Sequence, residues 1–300
     1  MQQLILDGMP VTTSELSQST YRAAPCDLLL QVTAENLDEA IQRFRRAGFA
    51  GIYSGLNISG VRDLSFLEQF PDMLYLEIRC DKPIKAGALE SLQNLRGLYF
   101  ESPASGIDFS SFPHLEVYSG GWHKGHTNFD LCPALHRIAL RNFNPASGDF
   151  SSLANCRRLD TLDIVRSTIS SLDGIETLED LRVLEIAYMT KLESLDAFKN
   201  CQPGLRVLSI ERAKRIRSCQ PIASLSCLKD LRLFGCAAMP DVKWTSGMNW
   251  LEHFAFVETD VIDGDLTPLL KLERLRYIGT EDKRHYNYKM HEFIEMLAQR

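Results

Sequence analysis

The chain has 300 residues, 45% of them apolar and 24% charged, ordinary figures for a soluble protein. Its net charge of −6 disfavours a general binder of nucleic acid or of an anionic membrane surface. The opening MQQLILDGMP lacks the basic segment and apolar core of a secretory signal, and no apolar run approaches the ~20 residues that cross a bilayer. A cytoplasmic protein is therefore expected, and a mature form stripped of a signal stays compatible with the same residues.

In chain order, residues 1–26 follow no repeating pattern, although LILDGMPV reads as a small hairpin turning at Asp7-Gly8. Residues 26–32 read as a strand. Thr33 then stands as N-cap for a helix over 34–47, whose Leu37, Ala40, Ile41 and Phe44 recur at helical spacing. Gly48 closes that helix. Arg43, Arg45 and Arg46 read as its solvated face.

Beyond Gly48 the pattern L-x-x-L-x-L recurs. Its lead residues are Met73, Leu95, Leu115, Leu135, Leu159, Leu181, Leu205, Leu228, Leu251 and Leu275, spaced 20 to 24 residues apart. Phe49 and Asp27 begin two weaker units. Lead, third-on and fifth-on residues point into a shared core; the residues between them alternate outward. A fixed period of this length marks a stacked repeat in which no unit buries its apolar side alone. The links between strands, such as SSLDGIETL and CQPIASLSC, are too short for long helices and read as 3₁₀ pieces. At the end, Asn287 stands as cap for a helix over 288–298, with Met290, Phe293, Ile294 and Leu297 on one face. Residues 283–289 read as part of that cap, with a separate binding peptide as the alternative.

With ten such patterns in register over residues 49–282, the chain resembles the leucine-rich repeat family, closest to the short 22-residue class of internalins and phosphatase regulators, as in a bacterial cytosolic protein of this kind. The resemblance implies an α/β repeat solenoid: a curved parallel sheet of about 10–12 short strands, a convex side of 3₁₀ and short helical pieces, an N-terminal helix-backed unit and a C-terminal capping helix. One domain over 1–300 is expected, with 1–48 as N-terminal cap and first unit, 49–282 as the array and 283–300 as the cap helix. The family's asparagine eight residues after the lead is missing. Asp81, Pro103, His123, Phe143, Ser167, Met189, Ala213, Cys236 and Thr259 stand there, which puts regular curvature in question.

Of the eight cysteines, Cys132 and Cys156 occupy a position filled in other units by Phe70, Leu92, Phe112, Leu178, Leu225, Met248 and Leu272. They read as reduced core residues, since free cysteine packs as a small hydrophobe. No CxxC pair suggests a zinc or redox site. His123 and His126, in GGWHKGHTN, would make two metal ligands with no third at a clear spacing, so no metal is assigned. No phosphate-loop, dinucleotide, HExxH or GxSxG motif occurs, so no cofactor and no catalytic residue is assigned. A metal-assisted enzyme at the 122–126 loop is the remote alternative.

The outward strand positions offer roughly 40 residues, where a standard interface uses about 20–30 on one side. They form a face roughly 50 Å long at about 4.8 Å per strand. Candidate partner-binding residues there are Tyr53, Tyr75, Tyr99, Trp122, Arg141, Asp163, Arg166, Glu185, Tyr188, Arg212, Arg232 and Phe234. Asp163 and Glu185 occupy equivalent positions on adjacent units, and Arg166 or Arg212 would relieve their repulsion. The resemblance implies a non-catalytic module binding another protein through the concave sheet; a monomer is expected, and the acidic balance points to no nucleic-acid or membrane partner. A toxin-neutralising immunity protein is the sharper expectation, and a regulatory subunit or scaffold for a cellular enzyme the alternative.

Overall fold

In a computed structural model of the chain the described residues are 3–6, 9–12, 29–33, 35–54, 63–80, 86–102, 106–201 and 204–299. They divide into two compact units, Met1–Leu140 and Arg141–Arg300.

The first unit opens with β1 (Gln3–Leu6) and β2 (Met9–Thr12), antiparallel with Leu6 opposite Met9, as expected of a hairpin turning at Asp7-Gly8. The turn residues themselves lie outside the described residues, as do 26–28 of the expected first strand, whose remainder is β3 (Leu29–Gln31). Helix α1 (Leu37–Ala47) begins later than the sequence suggests. Thr33 and Asn36 each accept the other's backbone N–H, at 3.3 and 2.7 Å, and so form a turn ahead of the helix instead of its cap. Gly48 ends it at φ 67°, a left-handed conformation open to glycine without a Cβ clash.

Strands then follow in sequence order: β4 (Gly51–Tyr53), β5 (Tyr75–Arg79), β6 (Gly97–Glu101), β7 (Val117–Gly121) and β8 (Arg137–Phe143), the last reaching into the second unit. The second unit continues with β9 (Thr161–Ser167), β10 (Val183–Met189), β11 (Val207–Glu211), β12 (Asp230–Phe234), β13 (His253–Ala255) and β14 (Tyr277–Gly279). The twelve strands β3 to β14 stand in one sheet order, as the repeat predicts. Among β3–β7 and among β9–β14 every described pairing is parallel. Short 3₁₀ segments, such as Phe109–Ser111, Ile175–Thr177 and Gln220–Ser224, return the chain between strands.

The inward columns close as expected. Leu76, Leu98, Tyr118, Ile138, Leu162, Leu184, Leu208, Leu231, Phe254 and Ile278 are each 0% exposed, and the lead and fifth-on columns are buried throughout. Cys132 and Cys156 are buried free thiols in the column of Phe70, Leu92 and Phe112. Burial pushes the thiols of Cys132, Cys201 and Cys219 up to about 12 and that of Cys236 to about 11. At Gly120 the fifth-on column drops to glycine for a steric reason. A Cβ there would lie 2.3 Å from the Phe100 carbonyl and 2.6 Å from the Tyr118 hydroxyl, so the larger Tyr118 ring requires the gap.

Strands β8 to β13 end in one shared way. Asn142, Arg166, Tyr188, Arg212, Gly235 and Glu258, each seven residues after its lead, have φ between 54° and 64°. Strict alternation would send this residue inward. The left-handed step keeps it outside and turns the next residue into the core: Phe143, Met189 and Ala213 are each 0% exposed, and Ser167 and Thr259 are buried polar groups. For a residue with a Cβ this conformation costs roughly 1–2 kcal/mol.

The missing asparagine is partly replaced at that next position. The Ser167 hydroxyl donates to the Phe143 carbonyl and accepts the Ile169 N–H. Thr259 Oγ1 donates to the Leu233 carbonyl (2.8 Å) and accepts the Cys236 N–H (2.9 Å). Cys236 Sγ donates to the Ile210 carbonyl (3.3 Å). These bonds satisfy backbone groups that the bend leaves without a ladder partner. A second set of side chains pins the return segments. Asp63, Asp108, Asp149, Asp241 and Asp265 each accept the N–H two residues on, and Ser171, Ser194 and Ser218 do the same through hydroxyls.

At the C-terminal end α2 (Met290–Ala298) packs on β14 and buries Phe293 and Leu297. Its cap differs from the expected Asn287. Asp282 accepts the Met290 N–H and Glu292 the Lys289 N–H, both at 2.8 Å. Asn287 instead ties the last repeat: its amide donates to Asp265 and Thr267, and its carbonyl accepts the Leu266 N–H, all at 2.9 Å. Tyr286 is buried with its hydroxyl accepting the Val261 N–H at 3.1 Å, and Lys283 pairs with Asp260 and Glu281, so residues 283–287 belong to the cap.

Leu184→Ala opens a cavity in a fully enclosed column and is expected to cost about 2–5 kcal/mol. Urea unfolding monitored by far-ultraviolet circular dichroism would measure it; a loss under about 1 kcal/mol would mean the column repacks.

Candidate functional site

In the first unit the aromatic candidates share a face but not a patch. Tyr53 stands opposite Glu77, Glu77 opposite Tyr99, and Tyr99 opposite Ser119. Tyr75 lies in the neighbouring row between Gly51 and Gly97. Tyr99 points outward yet is only 8% exposed. Its hydroxyl accepts from Arg79 Nη2 at 2.7 Å and donates to Glu101 Oε2 at 3.0 Å, while Arg79 Nε bonds the same carboxylate oxygen at 2.9 Å. Tyr99 is thus part of a closed triad. Trp122 follows the end of β7 and stacks over Phe129 (6.4 Å, 10°), with the His126 ring edge-on at 5.8 Å.

The histidines of the same loop are already engaged. His126 Nδ1 accepts the Ile107 N–H at 3.1 Å, which fixes the proton on Nε2, and Nε2 meets the Gly121 carbonyl at 3.0 Å. The ring is buried among Phe109, Tyr118 and Phe129. That burial pushes its pKa down to about 4, with the nearby His123 adding to the shift and the Gly121 carbonyl opposing it. His123 Nδ1 accepts the Gly125 N–H at 3.0 Å. Both rings serve the loop. Among the described residues no group of three or more His, Cys, Asp or Glu side chains gathers where a metal would sit.

The second unit carries the remaining candidates. Asp163, Glu185, Ser209 and Arg232 form one row across β9–β12. Arg232, with its side chain 6% exposed, grips Asp230 with two bonds, Nε–Oδ1 at 2.9 Å and Nη2–Oδ2 at 2.7 Å. Its third nitrogen reaches past the small Ser209 to Glu185 Oε1 at 3.6 Å. Burial works against the charge, but the bonds and charge of Asp230 and the charge of Glu185 more than offset it, and the guanidinium is held above its ordinary pKa. The sequence points to Arg166 or Arg212 as the group that relieves Glu185. The structure gives that role to Arg232, while Arg212 pairs with Glu258 at 3.2 Å and Glu211 at 3.8 Å. Asp163 is 7% exposed and Arg141 and Phe234 are half-buried. Arg166, Tyr188 and Arg212 stand exposed in one row of left-handed residues at the strand ends.

No protein-family profile matches the chain, and no curated protein matches it by sequence. Solved structures do match. An internalin of Listeria monocytogenes aligns with TM-score 0.62 and 19% identity over 81% of this chain and 70% of its own. A leucine-rich repeat protein of Leptospira interrogans aligns with TM-score 0.59 and 13% identity over 88% and 77%. The chain has the leucine-rich repeat fold. TLR13, solved as a complex with ssRNA13, aligns with TM-score 0.51 and 16% identity, covering 87% of this chain and 47% of its own.

Within that fold, the left-handed position at the ends of β8 to β13 is the feature that residue types conceal. Asn142 and Gly235 suit such a conformation; Arg166, Tyr188, Arg212 and Glu258 give no sign of it. Asp230, the main partner of Arg232, is signalled only by charge on a strand. Glu185 is 47 residues from Arg232 in sequence, and only the repeat register brings them together.

Two outcomes follow from these contacts. Arg232→Ala strips two carboxylates of their cation in a mostly buried site and is expected to cost about 3–5 kcal/mol in urea unfolding; a change near zero would show that solvent already screens the pair. His126 gives a pH effect of definite sign. Its folded pKa of about 4 lies below the ~6.5 of an unfolded histidine. The unfolded chain therefore takes up the proton first. The stability contribution is complete above about pH 6.5 and falls towards pH 4, by up to about 3 kcal/mol. His126→Gln should flatten that part of the stability–pH curve, and an unchanged slope would refute the assignment.

Proposed function

We propose that this chain is a non-catalytic protein-binding module that engages another protein through the outer face of its strands. The observation that carries the reading is the second unit's face. It holds an ordered ion network of Asp230, Arg232 and Glu185, and beside it stand Arg166, Tyr188 and Arg212, exposed at the strand ends. Arg and Tyr are the types most often found at the energetic centres of protein interfaces. Ordered, hydrogen-bonded charges present a fixed pattern to a partner and so favour specificity.

A protein suits this face better than a nucleic acid. TLR13 is solved with an RNA, but here Asp163, Glu185 and Asp230 line the middle of the face and would repel a polyphosphate backbone. The sharper form of the proposal is a cytoplasmic, monomeric antagonist of bacterial origin, an immunity protein that masks a toxin domain. A regulatory subunit or scaffold of a cellular enzyme would use the same surface.

A photo-crosslinking amino acid at Ala187, in the middle of the face, should trap a defined protein in lysate of the source cells. The same group at Lys199, exposed on the return segment Asp196–Asn200, should not. A single tight partner at Ala187 fits the immunity role, and trapping at Lys199 but not Ala187 would overturn the proposal.

A further inference from the structure

We infer that the row Arg166–Tyr188–Arg212 is the specificity-determining contact of the second unit, and that it recognises a protein segment bearing two carboxylates about 10 Å apart, two strand spacings along the sheet. The inference rests on the protein-binding reading and adds the chemistry of the partner.

The first ground is where these side chains stand. All three occupy the seventh place after their leads, Arg166 on β9, Tyr188 on the adjacent β10 and Arg212 directly after β11, and all three are exposed, Tyr188 at 46%. Arg166 makes no ion pair among the described residues. Among the described residues Arg212 pairs with Glu258, whose side chain is 57% exposed, at 3.2 Å and more loosely with Glu211 at 3.8 Å. Such solvated pairs are weak and readily exchanged for a partner's carboxylate.

The second ground is that the fold does not ask for these side chains. Their backbone lies at φ 64°, 58° and 55°, and Gly235 takes φ 60° at the same place in the next unit. Glycine satisfies this geometry without strain, so two arginines and a tyrosine stand here against the local backbone preference. The neighbouring residues, Val165, Ala187 and Glu211, form the next row of the face. Val165 and Ala187 are small and leave the row standing proud.

The third ground is charge. Two guanidiniums flanking a phenol suit a pair of carboxylates with an apolar or planar group between them, each guanidinium able to take a carboxylate with two bonds. The carboxylates of Asp163, Glu185 and Asp230 lie deeper on the same face and disfavour a continuous polyanion. A segment in the polyproline II conformation, with three residues per turn and about 3.1 Å per residue, places two acidic residues three positions apart on one side and about 9 Å apart along the row.

The test selects phage-displayed random peptides on the full-length chain, with a single-stranded RNA oligonucleotide as a second probe. Peptides with Asp or Glu three positions apart should be enriched. Their affinity should fall at least tenfold on Arg166→Glu, where no ion pair among the described residues is lost, and on Tyr188→Gly, which should leave the melting temperature unchanged or raised. Enrichment without acidic residues, peptides that bind Arg166→Glu equally well, no enrichment at all, or preferential RNA binding would each overturn the inference. The protein-binding reading is judged separately, by the crosslink at Ala187: a crosslink that persists in Arg166→Glu leaves that reading standing while this inference falls.

Discussion

Everything in this chain depends on like stacking on like. Leu162 lies beside Leu184 and Leu184 beside Leu208 in parallel register, and each is fully enclosed only because its neighbours are there. A single strand of this kind has no interior of its own. Burying a leucine contributes about 1.5–3 kcal/mol, and the columns repeat that contribution unit after unit. The same register fixes the opposite face. A slip of one residue would carry Leu184 into solvent and Glu185 into the core, so the apolar columns also dictate which charges meet outside.

That coupling explains the ion network. Asp230 and Arg232 sit two residues apart on one strand, so their side chains leave the same side of the sheet. Ser209 between Arg232 and Glu185 is short enough to be bridged. A longer residue there would separate the two charges and leave Glu185 to Asp163, its neighbour on β9. The arrangement is therefore a property of three strands at once, built on an outer face that the core merely positions.

The core was legible because its signal is local and repeated: ten lead residues, each followed at fixed steps by apolar ones, predict the buried columns position by position. The capping helix was legible for the same reason, through Phe293 and Leu297. Its cap was not, since an asparagine just ahead of a helix looks alike whether it caps that helix or ties back to Asp265 and Leu266, and the carboxylate that accepts the Met290 N–H is Asp282, eight residues earlier. Outward exposure was hidden because it depends on neighbours a whole repeat away: Tyr99 is covered in a triad with Arg79, and Arg232 finds Glu185 two strands off. The aspartates and serines that brace the return segments recur in sequence as plainly as the leucines do, as in Asp63-x-Ser65 and Asp108-x-Ser110, but through backbone hydrogen bonds instead of apolar burial.

The enclosed sulfurs carry a consequence of their own. A thiol must ionise to attack a disulfide or an oxidant, and with the groups at Cys132, Cys201 and Cys219 pushed to about 12, fewer than roughly one in ten thousand is ionised at neutral pH. At these three positions desolvation above all holds the sulfur in its protonated, weakly nucleophilic form.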